Sequence, residues 1–149
     1  MATALKDISL PMFMDGIHHL VRPGAEGTYT YNLVLQDPDG KRVPKDKYWL
    51  KFDGGKITHG EGHVDDPEAT VFTVLQGGLD TLIAMQVHGM KAAMNAMMLG
   101  YITSSNLKKA EAWFKLLETG EDAVKAALAK AGNPVDDLSL DIYSELGLG

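Results

Sequence analysis

Residues 48–56 read Tyr48-Trp49-Leu50-Lys51-Phe52-Asp53-Gly54-Gly55-Lys56. Tyr48, Leu50 and Phe52 alternate with Trp49 and Lys51, and alternation at period two marks a strand with one apolar face. Asp53-Gly54-Gly55-Lys56 then forms a turn, because a two-residue hairpin needs positive φ and glycine reaches it without a Cβ clash. A second apolar-patterned segment follows over residues 57–64. The stretch therefore predicts a β-hairpin.

The same alternation extends on both sides. Upstream, residues 28–35 place Tyr29, Tyr31, Leu33 and Leu35 on one face and Thr28, Thr30 and Asn32 on the other, a half-buried strand. Asp37-Pro38-Asp39-Gly40 is turn chemistry, with proline presetting φ. Downstream, Asp65-Asp66-Pro67-Glu68 breaks the chain, and residues 69–75 are β-branched and aromatic enough for a fourth strand. Short connections between these strands favour antiparallel neighbours.

Beyond the strands the period changes. Ser9 and Pro11 suit the start of a first helix, which carries Phe13, Ile17, Leu20 and Val21 and stops at Arg22-Pro23-Gly24. After Gly77-Gly78, Leu79, Leu82, Ile83 and Gln86 predict a short helix. Met90, Met94, Met97 and Met98 fall at i, i+4, i+7 and i+8 on another, ended by Gly100. Residues 101–103 read as a short strand. Ser104-Ser105-Asn106 offers caps for a helix bearing Leu107, Ala110, Trp113, Phe114 and Leu117. A further alanine-rich helix carries Ala123, Val124, Ala127, Leu128 and Ala131, before Gly132-Asn133-Pro134. Leu138, Leu140, Ile142, Tyr143 and Leu146 make the tail from Val135 too apolar for a free linker.

Composition narrows the function classes. The 149 residues fit one domain, and 45% hydrophobic with 23% charged residues is ordinary globular chemistry. No apolar run reaches the roughly 18 residues of a transmembrane helix, and no secretory signal is visible at the start. The chain has no cysteine, which removes thiol catalysis, disulfides and thiolate metal sites and permits a cytoplasmic home. A net charge of −6 speaks against a nucleic-acid phosphate track and against a stable polybasic membrane anchor. Eight methionines against four phenylalanines suit a surface that adapts to variable apolar shapes.

No catalytic constellation stands out. There is no Gly-x-Ser-x-Gly elbow, and Ser104 and Ser105 are explained as caps. Gly54-Gly55 and Gly77-Gly78 lack the combined strand–glycine–Lys–helix context of a phosphate loop. His59, Glu61 and His63 stand at i, i+2 and i+4, within reach of a metal on one strand face, and a metal-assisted enzyme using the two histidines is a third idea. The flanking Gly60 and Gly62 bend that segment, and a solvated face is the better reading. His18, His19 and His88 read as incidental. The expectation is no enzyme, no metal and no cofactor.

Strands first, then helices with one late strand among them, is an α+β pattern. At this level the chain resembles the sterol carrier protein 2 family. Gly27-Thr28-Tyr29-Thr30-Tyr31 resembles the family's opening strand, residues 48–56 its aromatic strand and glycine hairpin, and Asp66-Pro67-Glu68-Ala69-Thr70-Val71 the entry to its fourth strand. The stretch 79–117, with Ala96-Met97-Met98-Leu99-Gly100-Tyr101-Ile102, is similar to its helix–helix–strand–helix portion. Two features depart from it. Thr103-Ser104-Ser105-Asn106 replaces a basic late strand, and Leu146-Gly147-Leu148-Gly149 lacks a peroxisomal address.

The resemblance implies a curved mixed five-stranded sheet with helices covering one face and an apolar tunnel between them. Residues 1–149 would form a single domain, with a core over 10–131 and a docked segment or lid over 135–149. The expected function is a non-catalytic carrier of a hydrophobic, lipid-like ligand: fatty acid, acyl-CoA, phospholipid or sterol. Its tunnel would use Phe72, Leu82, Met85, Met90, Met94, Met97, Met98, Trp113, Phe114 and Leu117. Each buried methylene contributes about 0.8 kcal/mol, so a long tail binds without a charged anchor. A methionine stripe at helical spacing is equally the mark of ordinary core. The alternative is therefore a protein-interaction or oligomerisation module with a filled core, compatible with a homodimer.

Overall fold

The computed structural model describes residues 2–36 and 40–148. Of the turn read at Asp37-Pro38-Asp39-Gly40, only Gly40 lies within them. Among these residues five strands form one open mixed sheet: β1 (Thr28–Leu35), β2 (Lys47–Asp53), β3 (Lys56–Glu61), β4 (Thr70–Val74) and β5 (Ile102–Ser104). The helices are α1 (Leu10–Ile17), α2 (Gly78–His88), α3 (Met90–Met98), α4 (Leu107–Leu116), α5 (Glu121–Lys130) and α6 (Ile142–Glu145). The fold is α+β, as its alternating and helical periods predict.

The β2–β3 hairpin forms where the glycines require it, with Gly54 at φ 57° and Gly55 at φ 86°. Tyr48, Leu50 and Phe52 are buried in phase along β2. α1 starts at Ser9, whose hydroxyl accepts from the Met12 N–H at 3.3 Å, and Pro11 sits in its first turn. Asn106 caps α4 by accepting from the Lys109 N–H at 3.1 Å. Ser105 does not cap the helix. Its hydroxyl accepts from the Val71 N–H at 2.8 Å and joins the α4 entry to β4.

Two expectations are corrected. The strand order is β3-β2-β1-β4-β5, so β4 passes by β3 and pairs with β1, in parallel. The connection over residues 62–69 makes this crossing possible. It folds over the back of the sheet, where the Asn32 amide accepts from the Val64 N–H at 2.9 Å and donates to the Val64 carbonyl at 3.0 Å. For the same reason β1 is not half-buried at its centre: Thr30 and Asn32 are buried as well as Tyr31 and Leu33.

The core lies between the front of the sheet and the helices. Tyr31, Leu33, Leu50 and Phe52 meet Leu10, Phe13, Met14 and Ile17 of α1, Leu82, Ile83 and Met85 of α2, and Leu128 of α5. Fully burying such side chains contributes about 1.5–3 kcal/mol each. The tail packs through Val135, Leu138, Ile142 and Leu146, all buried. Asn95 Nδ2 donates to the Leu146 carbonyl at 2.8 Å, and Tyr101 donates to Glu145 at 2.8 Å.

Candidate functional site

The sheet contributes Tyr31 and Leu33 from β1 and Phe72 from β4. In the parallel register Leu33 lies opposite Phe72, which sets both side chains on the helix-covered face. Over them α1, α2 and α4 leave a cavity of about 30 Å³, walled by Leu10, Phe13, Met14, Ile17, Leu82, Met85, Gln86, Ala110, Trp113 and Phe114. That is far below the roughly 300–1,000 Å³ of a small-molecule site. The enclosed space is a packing defect of about water size.

Its polar groups are turned away and satisfied. Trp113 Nε1 donates to Gln86 Oε1 at 2.9 Å, and Gln86 Nε2 donates to the Glu118 carbonyl at 2.9 Å. The Tyr31 hydroxyl donates to the Lys109 carbonyl. Burial, the larger cause, and the nearby Tyr29 push this phenol far above its usual range, so it stays protonated. Tyr31, Phe52 and Trp113 stack edge to face, with ring centroids 5.2–5.8 Å apart. A ligand that widened this cavity would meet hydrocarbon and ring edges.

The larger space lies outside this wall. A groove of about 400 Å³ runs between α3 and α4, lined by Phe72, Met90, Ala93, Met94, Met97, Leu107, Ala110, Glu111 and Phe114. Phe72, Ala110 and Phe114 line both spaces and form the partition between them. The methionine stripe therefore faces outward. α3 buries its small face, Ala92, Ala93 and Ala96, and Met94 is 57% exposed. Alanines allow the close approach to α2 and β5 that methionines on that side would block.

The ten residues expected at a ligand site thus separate. Phe72, Met90, Met94, Met97 and Phe114 meet in the groove, and Leu82, Met85 and Trp113 join Phe72 and Phe114 around the inner cavity. Met98 lines neither space and is 83% exposed. Leu117 is fully buried in an isolated bridge to Val21. Sequence reasoning missed α1, which supplies Leu10, Phe13, Met14 and Ile17. Its 3.6-residue apolar spacing was visible, but not its place over the sheet. None of the described tail residues lines either space.

The histidines are arranged differently from a solvated strand face. His59 pairs in register with Leu50, so it points to the helix-covered side at the sheet edge. There its Nδ1 lies 2.8 Å from His18 Nε2, and its Nε2 lies 3.5 Å from Asp15 Oδ1. Burial, then His59, lowers the His18 pKa below its ordinary value, against the opposing pull of Asp15. The phase of Ile57 and His59 is the sequence signal that would have placed His59 on this side. His63 falls beyond β3, after Gly62 at φ 83°, and contacts the Leu33 carbonyl at 3.0 Å. The two are not brought to one centre, and among the described residues no group of three or more His, Cys, Asp or Glu is arranged to hold a metal. His88 stacks edge to face on Tyr143 at 4.5 Å.

No helix among the described residues is long and apolar enough to cross a membrane. The sequence matches no family model and no curated protein. Among solved structures, a double mutant of the sec-alkyl sulfatase PisA1 is similar with a TM-score of 0.59 and 21% identity, over 76% of this chain and 17% of that one. The stereoselective inverting sec-alkylsulfatase Pisa1 from Pseudomonas sp. aligns with a TM-score of 0.44 and 18% identity, over 73% of this chain and 14% of that one. The chain thus spans less than a fifth of either sulfatase chain. At 21% identity the first likeness shows a shared fold alone.

Proposed function

We propose that this chain is a non-catalytic, cytoplasmic carrier of a hydrophobic, lipid-like ligand, in keeping with its resemblance to the sterol carrier protein 2 family. The observation that carries the reading is the groove between α3 and α4. Its volume of about 400 Å³ falls within the roughly 300–1,000 Å³ usual for ligand sites. Its walls are flexible methionine and aromatic side chains, which adapt to variable apolar shapes. The ligand's tail lies along Met90, Met94 and Met97, and rotation of Phe114 opens the partition so that the tail reaches the inner cavity. Glu111 is the charged side chain in the groove lining, so the hydrocarbon supplies the affinity.

Extraction of the purified chain followed by mass spectrometry, with titration of a fluorescent fatty acid, tests this reading. A co-purified lipid and saturable micromolar binding are expected. Absence of both overturns it.

The interaction module is the second reading, favoured by the small enclosed cavity of about 30 Å³. Light scattering discriminates: a stable oligomer with no lipid binding would favour the module.

A further inference from the structure

We propose that the outer ridge of α3, with the start of α4, is a docking surface for an anionic lipid bilayer. Met94 and Met98 stand one turn apart on α3 and are 57% and 83% exposed; Leu99 and Leu107 are 53% and 65% exposed. Met98 and Leu99 line neither the groove nor the inner cavity. A ligand in the groove leaves them in water. Internal packing does not account for them either, because α3 turns its alanines inward. Large apolar side chains grouped in water mark a surface that something else covers.

The local charge points to the covering partner. The chain carries −6 overall, yet residues 88–116 hold four lysines and one acidic residue, Glu111. Lys91 lies at i−3 to Met94 and i−7 to Met98, on the same helix face, and Lys108 follows Leu107. Both are exposed and neither forms an ion pair among the described residues. Lys109 is held by Glu68 at 3.4 Å and Lys115 by Glu111 at 3.9 Å, while Glu145 accepts from Tyr101. Lys91 and Lys108 thus flank the apolar ridge as cations open to a partner.

An anionic bilayer answers both features, with phosphates for the lysines and an acyl boundary for the methionines and leucines. A second copy of this chain answers only one. The ridge of a second copy is equally cationic and offers one carboxylate, Glu111, which is already paired with Lys115, so it supplies the lysines with little opposite charge. The acidic remainder of the chain is repelled by the same membrane, so docking is reversible and salt-sensitive. The docking surface goes beyond the carrier reading: Met94 and Leu107 border the groove, but Met98, Leu99, Lys91 and Lys108 line neither space.

Flotation of the full chain with vesicles tests it, using phosphatidylcholine alone and phosphatidylcholine mixed with phosphatidylglycerol. Binding to the mixed vesicles only is expected, weakening as salt shortens the screening length from about 10 Å at 0.1 M to about 3 Å at 1 M. Lys91→Glu with Lys108→Glu, and separately Met98→Ser with Leu99→Ser, should each weaken vesicle binding about tenfold or more. Neither pair should alter the affinity for a soluble fluorescent fatty acid. Failure of the wild-type chain to bind mixed vesicles, or undiminished binding by both double variants, overturns the proposal. A dimer in solution that Met98→Ser dissociates overturns it in favour of self-association. Vesicle binding by a chain that takes up no lipid would instead refute the carrier reading and support the docking surface.

Discussion

Trp113 Nε1 and Gln86 Oε1 lie 2.9 Å apart across the α2–α4 contact, and through Gln86 the aromatic wall of the cavity is tied to the α4–α5 connection at Glu118. Gln86 is 1% exposed, and its amide nitrogen is already given to the Glu118 carbonyl. Gln86→Leu leaves an indole N–H and a carbonyl without their partner in a dry site. A loss of about 1–3 kcal/mol is expected for such unsatisfied groups. Urea unfolding followed by tryptophan fluorescence measures it, and an unchanged midpoint would show that water replaces the amide.

Met94 and Phe114 should act differently on ligand binding. Met94 is 57% exposed, so Met94→Glu leaves the fold intact while placing a charge on the groove wall. Losing the burial of one such side chain, about 1.5–3 kcal/mol, corresponds to roughly tenfold or more in affinity for a fluorescent fatty acid. Phe114→Ala removes the partition, and longer acyl chains should gain affinity relative to shorter ones. Equal affinities across chain lengths would place the ligand wholly in the outer groove.

The His18–His59 contact makes stability depend on pH. Burial, then the neighbouring His59, lowers the His18 pKa in the folded chain below its ordinary 6.5. The unfolded state then binds the proton more readily, so stability rises with pH across this window. The contribution is complete above pH 6.5 and is lost as pH falls through the folded value. Thermal melts between about pH 5 and 8, where histidines titrate, should show a declining acid limb. His18→Gln, which can still donate to His59, should flatten it.

Gly77 should not tolerate a side chain. Its φ is 82°, and a Cβ there would run into the Thr81 hydroxyl and the Ile142 side chain. The left-handed conformation alone costs a non-glycine residue about 1–3 kcal/mol. Gly77→Ala is therefore expected to lower the melting temperature and loosen α6. Increased amide exchange over residues 138–146 would report the second effect, whereas Gly78→Ala, with open space around its Cβ position, should lack it.

Local patterning dictates the elements of this chain and much of their phase. Tyr48, Leu50 and Phe52 had to share a face because strand side chains alternate, and Gly54-Gly55 had to turn because few other residues take positive φ. Met90, Met94 and Met97 had to share a helix face for the corresponding reason of period. Periodicity says which residues lie together, but not which side of an element is covered. Tertiary packing alone turned the alanines of α3 inward, brought His59 to His18, and carried β4 across to β1. Those outcomes depend on contacts between segments far apart in sequence. The cavity of about 30 Å³ and the groove of about 400 Å³ belong to the same class, since each is space that several packed elements leave unfilled.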